Sequence, residues 1–228
     1  MTLENRTIVI TGGNSGLGAA CAEAVAEAGG TPVVFDREPT EAHRSVVVDV
    51  TDRRAVEEEV ARLADSVDGI HGVITAAGTD VPGELTEIDA EKWEYVLGTN
   101  LLGTVSVIRA LLPHLEETRG RVVTVCSTLG LRGAGGATAY AASKFGVRGF
   151  SQALAAEMAG RVGVTNLIPG GMNTRFFDGR TEQYLPADRT KLNDPRDVAR
   201  SVVFALSQPP RVEVRELLIA HESEDSWP

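Results

Sequence analysis

Short apolar runs alternate with longer amphipathic ones along most of the chain. Residues 6–11 (RTIVIT), 31–36 (TPVVFD), 45–50, 70–75 (IHGVIT), 121–126 and 163–168 (GVTNLI) are short and largely apolar, with few polar interruptions. That is the pattern of strands covered on both faces of a parallel sheet. Residues 212–220 supply a seventh run ahead of the polar tail HESEDSWP.

Between these runs the period changes to that of helices. An Ala-rich stretch after Gly18 predicts a helix that stops at Gly29 and Gly30, and residues 53–66 predict a second. Asp89 caps a long amphipathic helix reaching about Glu117, with Trp93, Val96, Leu97, Leu101, Val105, Ile108, Leu112 and Leu115 on its apolar face. Another Ala-rich helix carries Tyr140 and Lys144. Asp194, Pro195 and Asp197 start a last one, running to about Ser207. Strand alternating with helix predicts an α/β domain built on a mainly parallel seven-stranded sheet. The connection at residues 37–44 (REPTEAHR) is too short for the usual crossover helix and is expected to be a turn.

The totals narrow the class. At 228 residues the chain suits one domain, residues 1–228, with a substantial core. Its net charge of −10 and the lack of any basic run argue against nucleic acid or an anionic membrane as partner. Cys21 and Cys126 lie in apolar surroundings far apart, which predicts two buried thiols. His43, His71, His114 and His221 show no ligand spacing, so no metal is expected. With no leader pattern and no unbroken run of about 18 apolar residues, the expectation is a soluble cytoplasmic protein.

Two stretches carry chemistry. In TGGNSGLG (residues 11–18) a strand passes through a glycine turn into a helix. Gly12 and Gly16 let the backbone approach a pyrophosphate, Gly18 allows close packing, and the helix N-terminus offers free amides. Gly12, Asn14, Ser15, Gly16, Leu17 and Gly18 are therefore expected to bind a dinucleotide. Asp36, 18 residues after Gly18, ends the next strand, where its carboxylate suits ribose hydroxyls and repels a 2′-phosphate. Arg37 beside it could serve that phosphate, but Asn14 and Ser15 add no second cation, so NAD is expected in preference to NADP. The second stretch is residues 124–149. Tyr140 and Lys144 share a helix face one turn apart, and glycines 130, 133, 135 and 136 let Ser127 turn back toward them.

Ser127, Tyr140 and Lys144 at this spacing, with the T-G-x-x-x-G-x-G turn, resemble the short-chain dehydrogenase/reductase family. The resemblance runs over nearly the whole chain and implies a Rossmann-like doubly wound fold. It also implies hydride transfer between NAD(H) and a secondary alcohol or ketone. By that resemblance Tyr140 is the acid–base group, Ser127 holds the substrate oxygen, Lys144 lowers the Tyr140 pKa and holds the ribose, and Asn100 keeps a relay water on its backbone. Asp49 and Val50 would flank the adenine. Ala76, Ala77 and Gly78 would lie along the nicotinamide ribose, with Thr75 where the family has Asn, a structural change. Pro169, Gly170, Met172 and Thr174 would touch the carboxamide. Independently of the resemblance, residues 175–193 are polar and loop-like, with Phe176, Phe177 and Tyr184 among them. A substrate loop over 171–193 is therefore expected, the alternative being a disordered loop.

The apolar excess on the long helix and on the Tyr140 helix is expected to serve a homodimer or homotetramer, as in the family. Two alternatives remain at this point: an NADPH-dependent carbonyl reductase, and a non-catalytic nucleotide-sensing protein on the same scaffold.

Overall fold

The computed structural model describes residues 2–224. Seven parallel strands form one sheet: β1 (Thr7–Thr11), β2 (Thr31–Asp36), β3 (Arg44–Val47), β4 (Gly72–Thr75), β5 (Arg121–Val125), β6 (Gly163–Pro169) and β7 (Glu216–Ile219). Their spatial order is β3-β2-β1-β4-β5-β6-β7, and every pairing is parallel. The last four residues of the polar tail lie outside the described residues.

The apolar runs lack polar alternation because both faces of the sheet are covered. Val9, Val33, Phe35, Val73 and Val122 point into one core with α2 (Arg53–Ala64), α4 (Thr104–Thr118) and α5 (Thr138–Glu157). Their neighbours Ile8, Ile10, Val34, Ile74 and Val123 point into the other, against α1 (Gly16–Glu27) and α6 (Pro195–Leu206). Each of these side chains gains about 1.5–3 kcal/mol from burial. Asp52 caps α2 through the amides of Arg54 and Ala55, and Asp194 caps α6 through that of Arg196.

The long helix departs from expectation in the middle. Asp89 caps α3 (Ala90–Leu97), accepting from the Glu91 and Lys92 amides, but residues Gly98–Gly103 wind as a π-helix before α4 begins. Each extra residue rotates the succeeding turns by about 100°. The buried line therefore runs through Val96, Asn100, Thr104, Val107, Ile108, Leu111 and Leu115, while the expected Leu101, Val105 and Leu112 are only half-buried. Residues Ala90–Thr118 are long and apolar enough to cross a membrane by composition alone. Their buried face packs on the sheet as an ordinary core helix.

The short crossover after β2 holds no helix, as expected. β3 ends at Val47, earlier than expected, so Val48 and Val50 leave the ladder and are buried beside the strand ends. Both cysteines are free and buried.

The chain order reverses between β1 and β4, neighbours in space but separated in sequence by β2 and β3. In such sheets the loops at the carboxyl ends of the strands part at this point and leave a crevice.

Candidate active site

A cleft of about 730 Å³ lies there, lined by residues near the ends of β1, β2, β4, β5 and β6. At one end is the glycine turn. Gly12 has φ +67°, and a Cβ on it would sit 2.8 Å from the Ala77 backbone. A Cβ on Gly18 would sit 2.1 Å from the Gly12 carbonyl oxygen, so the turn itself cannot close around any other residue. Ser15 makes no side-chain cap bond to α1, which leaves the first-turn amides for a ligand.

Asp36 braces this turn. Its Oδ2 accepts the Asn14 amide at 3.0 Å and its Oδ1 the Glu38 amide at 3.3 Å. Arg37 donates to the Tyr95 hydroxyl at 2.8 Å. Asp49 accepts from the amide and the hydroxyl of Thr51. With Val50 it lines the same end of the cleft. A carboxylate, free helix amides and a backbone cradle together fit a dinucleotide.

At the other end stand the three polar groups. Ser127 lies just beyond β5, and its Oγ accepts the Leu129 amide at 3.2 Å. Its side chain is also hydrogen-bonded to the Tyr140 phenol. Lys144 is 4% exposed. Its Nζ donates to the Val125 carbonyl at 2.8 Å and lies 5.4 Å from the centre of the Tyr140 ring.

Burial dominates both ionisations. It pushes the Tyr140 phenol above its ordinary value, with the Ser127 bond pulling it partly back. It also brings Lys144 down to about 8, opposed by the charges of Cys126 and Asp80. The expected lowering of the phenol rests on Lys144 together with oxidised nicotinamide; in the protein without cofactor, desolvation sets the direction. At neutral pH Tyr140 is thus a neutral phenol in the protein without cofactor.

Among the expected site residues, Gly12, Ser15, Gly16, Leu17, Gly18, Asp36, Arg37, Asp49, Val50, Ala76, Ala77 and Gly78 all line the cleft, as do Ser127, Tyr140, Lys144, Pro169, Gly170, Met172 and Thr174. Asn14 and Asn100 do not. Asn14 acts through its bond to Asp36. Asn100 is 1% exposed. Its Oδ1 accepts the Thr79 amide at 2.8 Å, and its Nδ2 donates to the Thr79 carbonyl and to Ser143 Oγ. Its backbone carbonyl accepts the Thr104 hydroxyl. Thr75 is buried, with its hydroxyl unpartnered.

Over the cleft, residues 175–193 are more ordered than a plain loop, with three 3₁₀ turns at Arg175–Phe177, Glu182–Tyr184 and Arg189–Lys191. Backbone bonds between Asn173 and Asn193 and between Asn193 and Gly171 close its base. Two residues here had no sequence signal. Arg180 pairs with Asp80 at 3.1 Å and lies 4.7 and 4.8 Å from the Phe176 and Phe177 ring centres. They are 100 positions apart, and only the fold brings them together.

The family model described as short chain dehydrogenase matches residues 6–185. The chain is 31% identical over 230 residues to an uncharacterized oxidoreductase of Staphylococcus aureus strain MW2, covering 95% of this chain and 97% of that protein. Its fold is similar to the ligand-free aldohexose dehydrogenase of Thermoplasma acidophilum, with TM-score 0.88, 19% identity, and coverage of 95% and 93% of the two chains. It is also similar to an alcohol dehydrogenase of Thermococcus sibiricus complexed with 5-hydroxy-NADP, with TM-score 0.86, 23% identity, and coverage of 96% and 97%.

Proposed function

The chain belongs to the short-chain dehydrogenase family, and from that premise we propose an oxidoreductase that moves hydride between NAD(H) and a secondary alcohol or ketone. The observation that carries this is the convergence of Ser127, Tyr140 and Lys144 in one cleft with a dinucleotide cradle. When bound, the nicotinamide ring supplies the hydride acceptor or donor and, oxidised, a positive charge.

The protein's own groups handle the proton. Tyr140, a neutral phenol in the cofactor-free protein, donates its proton to the oxygen of a ketone as it becomes an alkoxide. For alcohol oxidation the Lys144 ammonium and the charge of oxidised nicotinamide would favour the phenolate that takes the hydroxyl proton. Ser127 Oγ, already within reach of the phenol, hydrogen-bonds the same oxygen as charge develops on it. Lys144 uses one of its three donors on Val125 and keeps two for the ribose. Asn100 fixes the Thr79 segment beside them and, with its backbone inside the π-helical turn, is the residue proposed to hold a relay water.

NAD is favoured by Asp36, whose carboxylate sits against the phosphate turn and opposes a 2′-phosphate. Arg37 supports the second choice, an NADPH-dependent carbonyl reductase, but its guanidinium is bonded to Tyr95. The free buried thiols accord with a cytoplasmic protein. Exposed Leu102 on the π-helical turn and Phe145 on α5 support association into a homodimer or homotetramer.

A panel of alcohols and ketones, followed by nicotinamide absorbance with each cofactor, tests the proposal. Turnover faster with NAD(H) supports it. Cofactor binding without turnover on any substrate would assign the scaffold to nucleotide sensing instead.

A further inference from the structure

Asp80 and Arg180 are not used by the chemistry above, yet both line the cleft that holds Tyr140. Their side chains are 5% and 12% exposed. Arg180 Nη2 and Asp80 Oδ2 form an ion pair at 3.1 Å, yet neither Nη2 nor the second carboxylate oxygen, Oδ1, has a hydrogen-bond partner, and both are buried. Native proteins seldom leave buried polar atoms this way, and when they do the reason is commonly functional.

The position points to substrate. The Phe176 ring packs against the Tyr140 ring at 5.6 Å, and Arg180 lies against the faces of the Phe176 and Phe177 pair. The charges of Asp80 and Arg180 both reach the Tyr140 phenol. A molecule placed for reaction at Tyr140 therefore lies beside them.

Resting on the dehydrogenase function proposed above, we propose that Asp80 and Arg180 form a specificity site for a second hydroxyl of the substrate, which makes neutral polyols and hydroxy ketones the preferred class. A carboxylate would be drawn to Arg180 but repelled by Asp80, and an amine the reverse. A hydroxyl suits both, because it can donate to the Asp80 carboxylate while accepting from the Arg180 guanidinium. The Phe176 and Phe177 faces beside the pair suit the C–H edges of such a molecule.

The test compares matched substrates with the full-length protein. Turnover of the vicinal cyclohexanediol, its one-carbon-spaced isomer and cyclohexanol is measured with NAD, and again with NADP. For at least one diol, kcat/KM should exceed that for cyclohexanol by about 100-fold, since a site with polar groups built for a hydroxyl rejects the analogue lacking it. Asp80→Asn and, on the outer loop, Arg180→Met should each shrink that ratio to within about tenfold. Equal use of diols and cyclohexanol by the wild type, or variants that leave the ratio intact while slowing all substrates alike, would overturn the proposal and leave the pair as a latch. No turnover of any of them, nor of the broader panel, would instead remove the dehydrogenase function on which it rests.

Discussion

Lys144 Nζ sits 5.4 Å from the centre of the Tyr140 ring and is anchored on the Val125 carbonyl at 2.8 Å. The anchor is a backbone atom of β5, the strand that also delivers Ser127. One strand end thus sets the position of both the hydroxyl and the ammonium, and the first turns of α5 bring the phenol between them. The cost of this arrangement is a buried cation and a half-buried phenol, and it leads to measurable consequences.

Lys144 makes the stability of the protein depend on pH in a definite direction. Its pKa is lowered from 10.5 to about 8 on folding, so between these values the unfolded chain holds a proton that the native protein has lost. Wild-type stability should therefore rise relative to Lys144→Met by about 1.4 kcal/mol per pH unit from pH 8 toward 10.5. Denaturant unfolding of both proteins across that window checks it. A stability difference that stays flat would show that the ammonium is not desolvated.

In the proposed mechanism Ser127→Ala removes a donor to the oxygen where charge develops and leaves the cofactor end untouched. The expected result is a fall in kcat of about 10²–10³-fold with little change in cofactor affinity, read from steady-state rates and a cofactor titration.

In the proposed reading Asp36 discriminates against a 2′-phosphate, with Arg37 next to it. Asp36→Ser should raise the ratio of kcat/KM for NADP(H) over NAD(H) by about tenfold or more, since the removed repulsion is worth at least one such factor. Some loss with NAD(H) should accompany it, because the Asn14 amide loses its acceptor.

Thr75 Oγ1 is buried without a partner. Replacing it with the isosteric Val removes the desolvation penalty of a lone hydroxyl, so Thr75→Val should gain about 1 kcal/mol. For a domain of this length that is a rise of about 2–4 °C in Tm by calorimetry.

Much of this can be read from the chain because local chemistry dictates it. The β1 strand, the glycine turn and α1 follow from residues that tolerate no substitute, as the 2.1 Å approach at Gly18 shows. The strands announce themselves by lacking alternation, which only a sheet covered on both faces explains. The π-helical turn does not, because Leu101, Val105 and Leu112 fit an unbroken period equally well. Its cause is tertiary: Asn100 is held inward by Thr79 and Ser143. Asp80 and Arg180 are silent for the same reason, each an ordinary polar residue near a turn until the fold pairs them. The upward shift of the Tyr140 phenol escapes the sequence because residue types do not reveal how far the fold desolvates it.

The most direct measurement is turnover by Tyr140→Phe, alongside cofactor binding by fluorescence titration. Loss of the phenol oxygen should abolish hydride transfer in both directions while the Kd for NAD(H) stays within about threefold of wild type, because only the proton route is removed. A variant that turns over substrate at an undiminished rate would contradict the assignment of Tyr140 as the acid–base group.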